Sequence, residues 1–142
     1  LDCQKIDEKS DIWAIGCILL QLYYGEKFFS SFDDTLNLCN IEKVCGHFPN
    51  WMIENSHKKY LKEIFVNCRK HKYDKVISIH KFEDYKAYKN NIAKQPKLSE
   101  IIIPEHDKFK DLITQLLKID PNDRITAKQA LKHPFFKTEM KD

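Results

Sequence analysis

Apolar residues crowd most densely between Ile12 and Tyr24, where the chain reads IWAIGCILLQLYY and Gln21 is the one clearly polar side chain. The run is too short to cross a bilayer, which takes about 20 apolar residues. A helix that is apolar on nearly every side needs protein on nearly every side. The pattern therefore predicts the central helix of a globular lobe, capped by Ser10 or Asp11 and stopped by Gly25.

A second, weaker amphipathic helix is predicted from Asp33 to Val44, with Leu36, Leu38, Ile41 and Val44 as its apolar set and Gly46 and Pro49 as its stop. The firmest periodicity comes late. Phe109, Leu112, Ile113, Leu116 and Leu117 recur at i, i+3, i+4, i+7 and i+8, one face of a helix of about three turns. The segment Asp120-Pro-Asn-Asp-Arg124 breaks that helix, because proline cannot donate a backbone hydrogen bond and disfavours helical geometry in the residue before it. Thr126 and Gln129 then have the spacing of a capping box that opens a short helix, closed by His133-Pro134.

Between Glu54 and Lys97 no period holds for long. Aromatic residues are interleaved with charge here, and the stretch predicts short helices or a hairpin joined by loops, with Val76 to Ile79 as the best strand. This stretch carries twelve Lys or Arg against five Asp or Glu, a balance of +7 within a chain whose net charge is +3, so the rest carries −4. Charge is thus segregated, and the small total excludes a binder driven by overall charge alone.

Composition narrows the class further. With 142 residues, 42% hydrophobic and 32% charged, the chain has the makings of one domain with a real core, burying about 68% of its unfolded surface. Five cysteines at irregular spacing read as reduced thiols in a nuclear or cytoplasmic compartment, not as a disulfide framework. The sequence begins at Leu1 without a basic segment preceding an apolar run, which argues against a signal peptide and predicts a natural start further upstream. No membrane partner is expected.

Two blocks, DIWAIGCILLQLYYGEKFF at Asp11 to Phe29 and FKDLITQLLKIDPNDRITAKQALKHPFF at Phe109 to Phe136, together resemble the C-terminal lobe of a eukaryotic protein kinase. In that lobe an Asp-x-Trp-Ser/Ala-x-Gly-Cys helix precedes a late Leu-x-x-Asp-Pro-x-x-Arg and a closing His-Pro-Phe/Trp. The basic segment 54–97 lies where the CMGC group carries its insert. Within that group the chain resembles the LAMMER, or CDC-like, subfamily, whose next helix carries Glu-His-Leu-Ala-Met-Met-Glu-Arg before Gly-Pro-Leu-Pro. Here the stretch is Leu36-Asn-Leu-Cys-Asn-Ile-Glu-Lys43, then Gly46-His-Phe-Pro49. Leu38 and Glu42 match, Lys43 keeps the charge, and the other positions depart. The pre-messenger-RNA-processing kinases of the same group are the neighbouring alternative.

The resemblance implies a mainly α fold, a partial kinase domain over 1–142 built around the central hydrophobic helix, with an irregular basic insert at 54–97. It implies three structural anchors. Asp11 would accept hydrogen bonds from backbone amides of the catalytic loop, Trp13 would pack beneath the activation segment, and Arg124 would pair with a glutamate at the end of that segment. Gln21, Leu38, Glu42 and Lys43 form the candidate surface for substrate or partner. Many relatives have Glu at the place of Gln21, where a carboxylate can receive a basic substrate side chain.

The sequence contains no Gly-rich loop, strand lysine, His-Arg-Asp, Asp-Phe-Gly or Ala-Pro-Glu. These parts hold ATP, magnesium and the attacking hydroxyl in the family. The expectation is that the complete kinase uses ATP and Mg while this chain binds neither, supplies no catalytic residue, and relies on an N-lobe and catalytic loop outside it. By resemblance the protein substrates would be Ser/Arg-rich splicing factors. A reading from a different class is a truncated or degenerate kinase-like module that only binds proteins. Deprived of its expected cover, the central helix should also expose apolar surface.

Two further constellations are weaker. Cys45-x-His47 with Cys68-x-x-His71 offers four zinc ligands at a spacing unlike common fingers. The basic aromatic stretch from Lys58 to Lys97 lacks any RNA-binding signature, which argues against a nucleic-acid role.

Overall fold

The computed structural model describes residues 7–29, 33–57, 64–67, 75–77 and 85–137. In chain order they form α1 (Glu8–Tyr24), α2 (Asp34–Cys45), α3 (Asn50–Glu54), β1 (Phe65–Asn67), β2 (Lys75–Ile77), α4 (Tyr85–Lys94), α5 (Leu98–Ile101), α6 (Asp107–Leu116) and α7 (Ala127–Ala130), with 3-10 turns at Pro104–His106 and Pro134–Lys137. The fold is mainly helical. These residues cluster into two compact units, one holding those from 33 to 96 and the other holding 7–29 and 97–137.

In the second unit α1 packs against α6. The start of α1 lies earlier than its apolar pattern suggests: Asp7, not Ser10 or Asp11, is the N-cap, its side chain accepting the Lys9 backbone N–H at 2.9 Å. The first turn is polar, so hydrophobic periodicity carries no information about it. Gly25, in the left-handed region at φ 87°, closes the helix by donating to the Gln21 carbonyl at 2.8 Å.

α1 buries Ile12, Gly16 and Leu20, positions four apart on one face. Ile15, Ile18 and Leu22 are 45%, 57% and 74% exposed, so within this chain the helix is covered on one side, not on nearly every side. α6 supplies that cover through its own apolar face. Leu112, Ile113 and Leu116 are buried, as are Leu117 and Ile119 just beyond the helix. Burial of such a side chain contributes about 1.5–3 kcal/mol. The helix ends as its sequence dictates, at a turn where the Asp120 carbonyl accepts from the amides of Asp123 and Arg124. α7 then opens with the expected reciprocal cap: Gln129 N–H donates to Thr126 Oγ1 at 3.2 Å, and Thr126 N–H donates to Gln129 Oε1 at 2.9 Å.

In the first unit α2 starts at the cap Asp33, which accepts from Leu36 N–H at 2.8 Å, and stops at Gly46 with φ 97°. α3 follows Pro49 and buries Met52 and Ile53; its few residues are too short for a period to announce. β1 and β2 pair antiparallel with Phe65 opposite Ile77 and Asn67 opposite Lys75. The strand expected at Val76 to Ile79 is thus present through Ile77, and positions 78 and 79 lie outside the described residues. The Phe48 ring meets Phe65 edge-on at 5.7 Å. Among the described residues no helix is long and apolar enough to cross a membrane.

A Cβ added at Gly16 would lie 2.8 Å from Leu117 Cδ2 and 3.0 Å from Leu116 Cβ. The Leu117 tip can turn away, but Leu116 Cβ is fixed to its helix. We predict that Gly16→Ala, despite a helix propensity gain of about 1 kcal/mol, lowers stability by about 1–2 kcal/mol through overpacking. A denaturant titration showing equal or higher stability would contradict the close α1–α6 approach.

Candidate functional site

The break after α6 aims one side chain back into the second unit. Asp120 Oδ1 accepts from the Asn122 backbone N–H at 2.8 Å and side-chain amide at 2.9 Å, a local turn that proline at 121 permits. The next residue but one, Arg124, is 8% exposed. Its Nε donates to the Lys118 carbonyl at 2.8 Å and its Nη2 to the Ile119 carbonyl at 3.0 Å. Its Nη1 donates to the Lys9 carbonyl at 2.5 Å, and Lys9 Nζ donates back to the Arg124 carbonyl. The guanidinium carbon also sits 5.0 Å from the centroid of the Trp13 ring, which stacks on Phe29 at 6.5 Å.

This arrangement ties the first turn of α1 to the end of α6. A planar fork can reach carbonyls in several directions from one plane while presenting its face to an indole, which a lysine cannot do. Sequence reasoning placed Trp13 and Arg124 separately as anchors, and the structure brings them together. It missed Lys9, because nothing in the sequence pairs residues 115 positions apart. Asp11 is exposed in the early turns of α1, and Gln21 is exposed near its end.

The Arg124 charge also reaches Cys17, whose thiol burial pushes up to about 11 against that weaker opposing pull. On a neighbouring flank an open groove of about 520 Å³ is lined by Lys9, Arg124, Thr126, Gln129, Lys132 and His133, among others. His133, 5% exposed, accepts the Phe135 N–H on Nδ1 at 3.2 Å and so donates from Nε2 to Asp111 Oδ2 at 2.9 Å. Gln115 Nε2 donates to the same oxygen at 2.9 Å. The sequence marked His133 as the close of a helix and as part of the closing His-Pro-Phe block, not for this contact.

The other candidate surface residues, on α2, belong to the first unit. Leu38 is half-buried. Glu42 Oε2 accepts from Ile77 N–H at 3.2 Å and Oε1 meets His47 Nδ1 at 3.2 Å. Lys43 Nζ donates to the carbonyls of Ile92 at 2.5 Å and Ala93 at 3.1 Å, at the end of α4. Both charges are turned toward their own unit. Burial raises the Glu42 carboxyl above its ordinary value, with the His47 and Ile77 hydrogen bonds opposing. Burial, then the Glu42 and Asp33 charges, push the Cys39 thiol up to about 12. Among the described residues no group of three or more His, Cys, Asp or Glu could hold a metal. Cys68 and His71 of the candidate zinc set lie outside them.

What Arg124, Lys9 and Trp13 build is a brace within the second unit. Residues 1–136 match the family described as Protein kinase domain. The chain is 38% identical over 125 residues to a probable serine/threonine-protein kinase clkA of Dictyostelium discoideum, covering 88% of this chain and 12% of that protein. It is 34% identical over 127 residues to the dual specificity protein kinase CLK1 of Homo sapiens, covering 89% of this chain and 24% of that protein. The chain thus spans a quarter or less of these relatives' length. A crystal structure of a kinase domain superposes with a TM-score of 0.74 at 25% identity, over 92% of this chain and 36% of that one.

Two expectations follow from the geometry. Arg124→Lys keeps the charge but cannot reach three carbonyls and a ring face. We expect it to lower unfolding free energy by about 2–3 kcal/mol in urea titrations followed by tryptophan emission; a change below about 0.5 kcal/mol would mean the brace is inconsequential. For Glu42, the raised carboxyl makes a contribution that is present below the ordinary glutamate value and lost as pH climbs through the raised one. The stability of Glu42→Gln relative to the parent should therefore grow from acid to neutral pH, and a difference that shrinks over that interval would contradict burial as the controlling cause.

Proposed function

The chain belongs to the protein kinase domain family, on its CDC-like, LAMMER branch, and from that premise we propose that it is the C-terminal-lobe portion of a Ser/Thr or dual-specificity protein kinase. In its complete form the enzyme transfers the ATP γ-phosphate to hydroxyls of protein substrates, with Ser/Arg-rich splicing proteins as the substrate class and the nucleus as its place of work. The observation that carries this reading is the match over residues 1–136.

The residues of this chain do not fit ATP or its magnesium ions. Three glycines in the whole sequence cannot make a phosphate-cradling loop, and the family's metal-ligating and base motifs are absent from it. No step of the transfer is therefore assigned to a side chain here. The roles proposed are those of support. Asp11, exposed on α1, holds the catalytic loop through its backbone amides, and Trp13 and Arg124 brace the activation segment from below. The exposed Ile15, Ile18 and Leu22 form the side of α1 that the remainder of the lobe covers. Gln21 offers an amide to substrate, so attraction of a basic substrate side chain must come from elsewhere.

The second reading is a kinase-like module that binds proteins without catalysis. Radiolabelled ATP separates the two. The 142-residue chain should give no transfer to a Ser/Arg-repeat peptide under either reading. A polypeptide that joins it to His-Arg-Asp, Asp-Phe-Gly and Ala-Pro-Glu segments from the same reading frame should give transfer only if the first holds. Transfer by the chain alone would overturn both.

A further inference from the structure

α4 (Tyr85–Lys94) presents lysine to solvent. Lys86, Lys89 and Lys94 are exposed, as is Asn90 between them, while Ile92 on another side is half-buried. The helix contains no acidic residue, and among the described residues no carboxylate pairs with these three lysines. Glu42, a half-buried carboxylate of the same unit, is engaged by Ile77 N–H and His47. The helix is also held in place from behind, since Lys43 donates to its last carbonyls. A fixed basic face on a segment that carries +7 attracts anions selectively over the rest of a chain that carries −4.

We infer that this face of α4 is a docking surface for a phosphorylated protein segment. The three lysines span about 12 Å along the helix axis, room for two phosphoserines about 7 Å apart on an extended strand. Among the described side chains of the helix the exposed positions are lysine, asparagine and alanine, from which single-stranded nucleic acid gains only its backbone. The choice of phosphate over carboxylate rests on the kinase reading above, because that reaction makes phosphoserine on its own substrates. A segment that has accepted one phosphoryl group would then be retained for the next transfer.

The test is fluorescence polarisation with the full 142-residue chain. The probes are a multiply phosphorylated serine-repeat peptide, its unphosphorylated form and a single-stranded RNA of matching charge. The phosphopeptide should bind in a salt-dependent way, at least about tenfold more tightly than either other probe. Lys86→Glu, Lys89→Glu and Lys94→Glu combined should weaken it at least about tenfold with an unchanged circular dichroism spectrum. The corresponding triple glutamine variant should weaken it less and flatten its salt dependence. Equal affinity in the glutamine variant, equal binding of the unphosphorylated peptide, or tighter binding of RNA would each overturn the inference. The assay uses no catalysis. A parent enzyme that transfers phosphoryl groups while the chain ignores the phosphopeptide removes only the docking surface, and phosphopeptide binding without transfer in the parent removes only the kinase reading.

Discussion

A guanidinium taken almost wholly out of water must find dipoles in place of hydration, and at Arg124 three backbone carbonyls and the face of Trp13 supply them. Two of those carbonyls, of Lys118 and Ile119, lie in the turn that follows α6. The third, of Lys9, belongs to the first turn of α1. One cation therefore closes the end of one helix onto the beginning of another, and the return bond from Lys9 Nζ to the Arg124 carbonyl makes the junction reciprocal. The apolar contact between α1 and α6 can then be as close as Gly16 allows, because the polar ends are already in register.

The first unit uses the same physics with different residues. Neighbouring charges on α2 are turned inward onto backbone groups, Glu42 onto the amide of Ile77 and Lys43 onto the last carbonyls of α4. The Ile92 carbonyl also accepts the Gln95 N–H at 3.2 Å, so at that helix end Lys43 adds a second donor. Glu42 and Lys43 carry the chain's likeness to the Glu-Arg end of the LAMMER stretch, and their charge alternation suits them to bridging a strand on one side and a helix end on the other. On α4 itself Lys86, Lys89 and Lys94 face outward.

Much of this was legible in the residues, and the gaps have specific causes. α6 was readable because five apolar positions repeat with helical spacing, and the Thr126–Gln129 cap because its two partners are three residues apart. The start of α1 at Asp7 was not, since a polar first turn has no period, and α3 was too short to show one. β1 was hidden because only its pairing with β2 defines it. The exposed side of α1 agrees with the apolar surface expected where its cover is missing: apolar content shows what a helix can bury, while the number of sides covered depends on which elements reach it.

Family membership was set by the sequence alone, because Asp-x-Trp and Asp-Pro-x-x-Arg are local strings whose order survives without any knowledge of contacts. The same holds for helix stops at Gly25 and Gly46, where backbone geometry at one residue decides the outcome. Which residue answers Arg124, and that Lys9 is one of its partners, only the tertiary structure could decide, as it also decided the inward turn of Glu42 and Lys43. Hydrogen bonds to backbone carbonyls and amides carry no side-chain signature. Every residue offers the same acceptor and donor, and only the folded path of the chain selects among them.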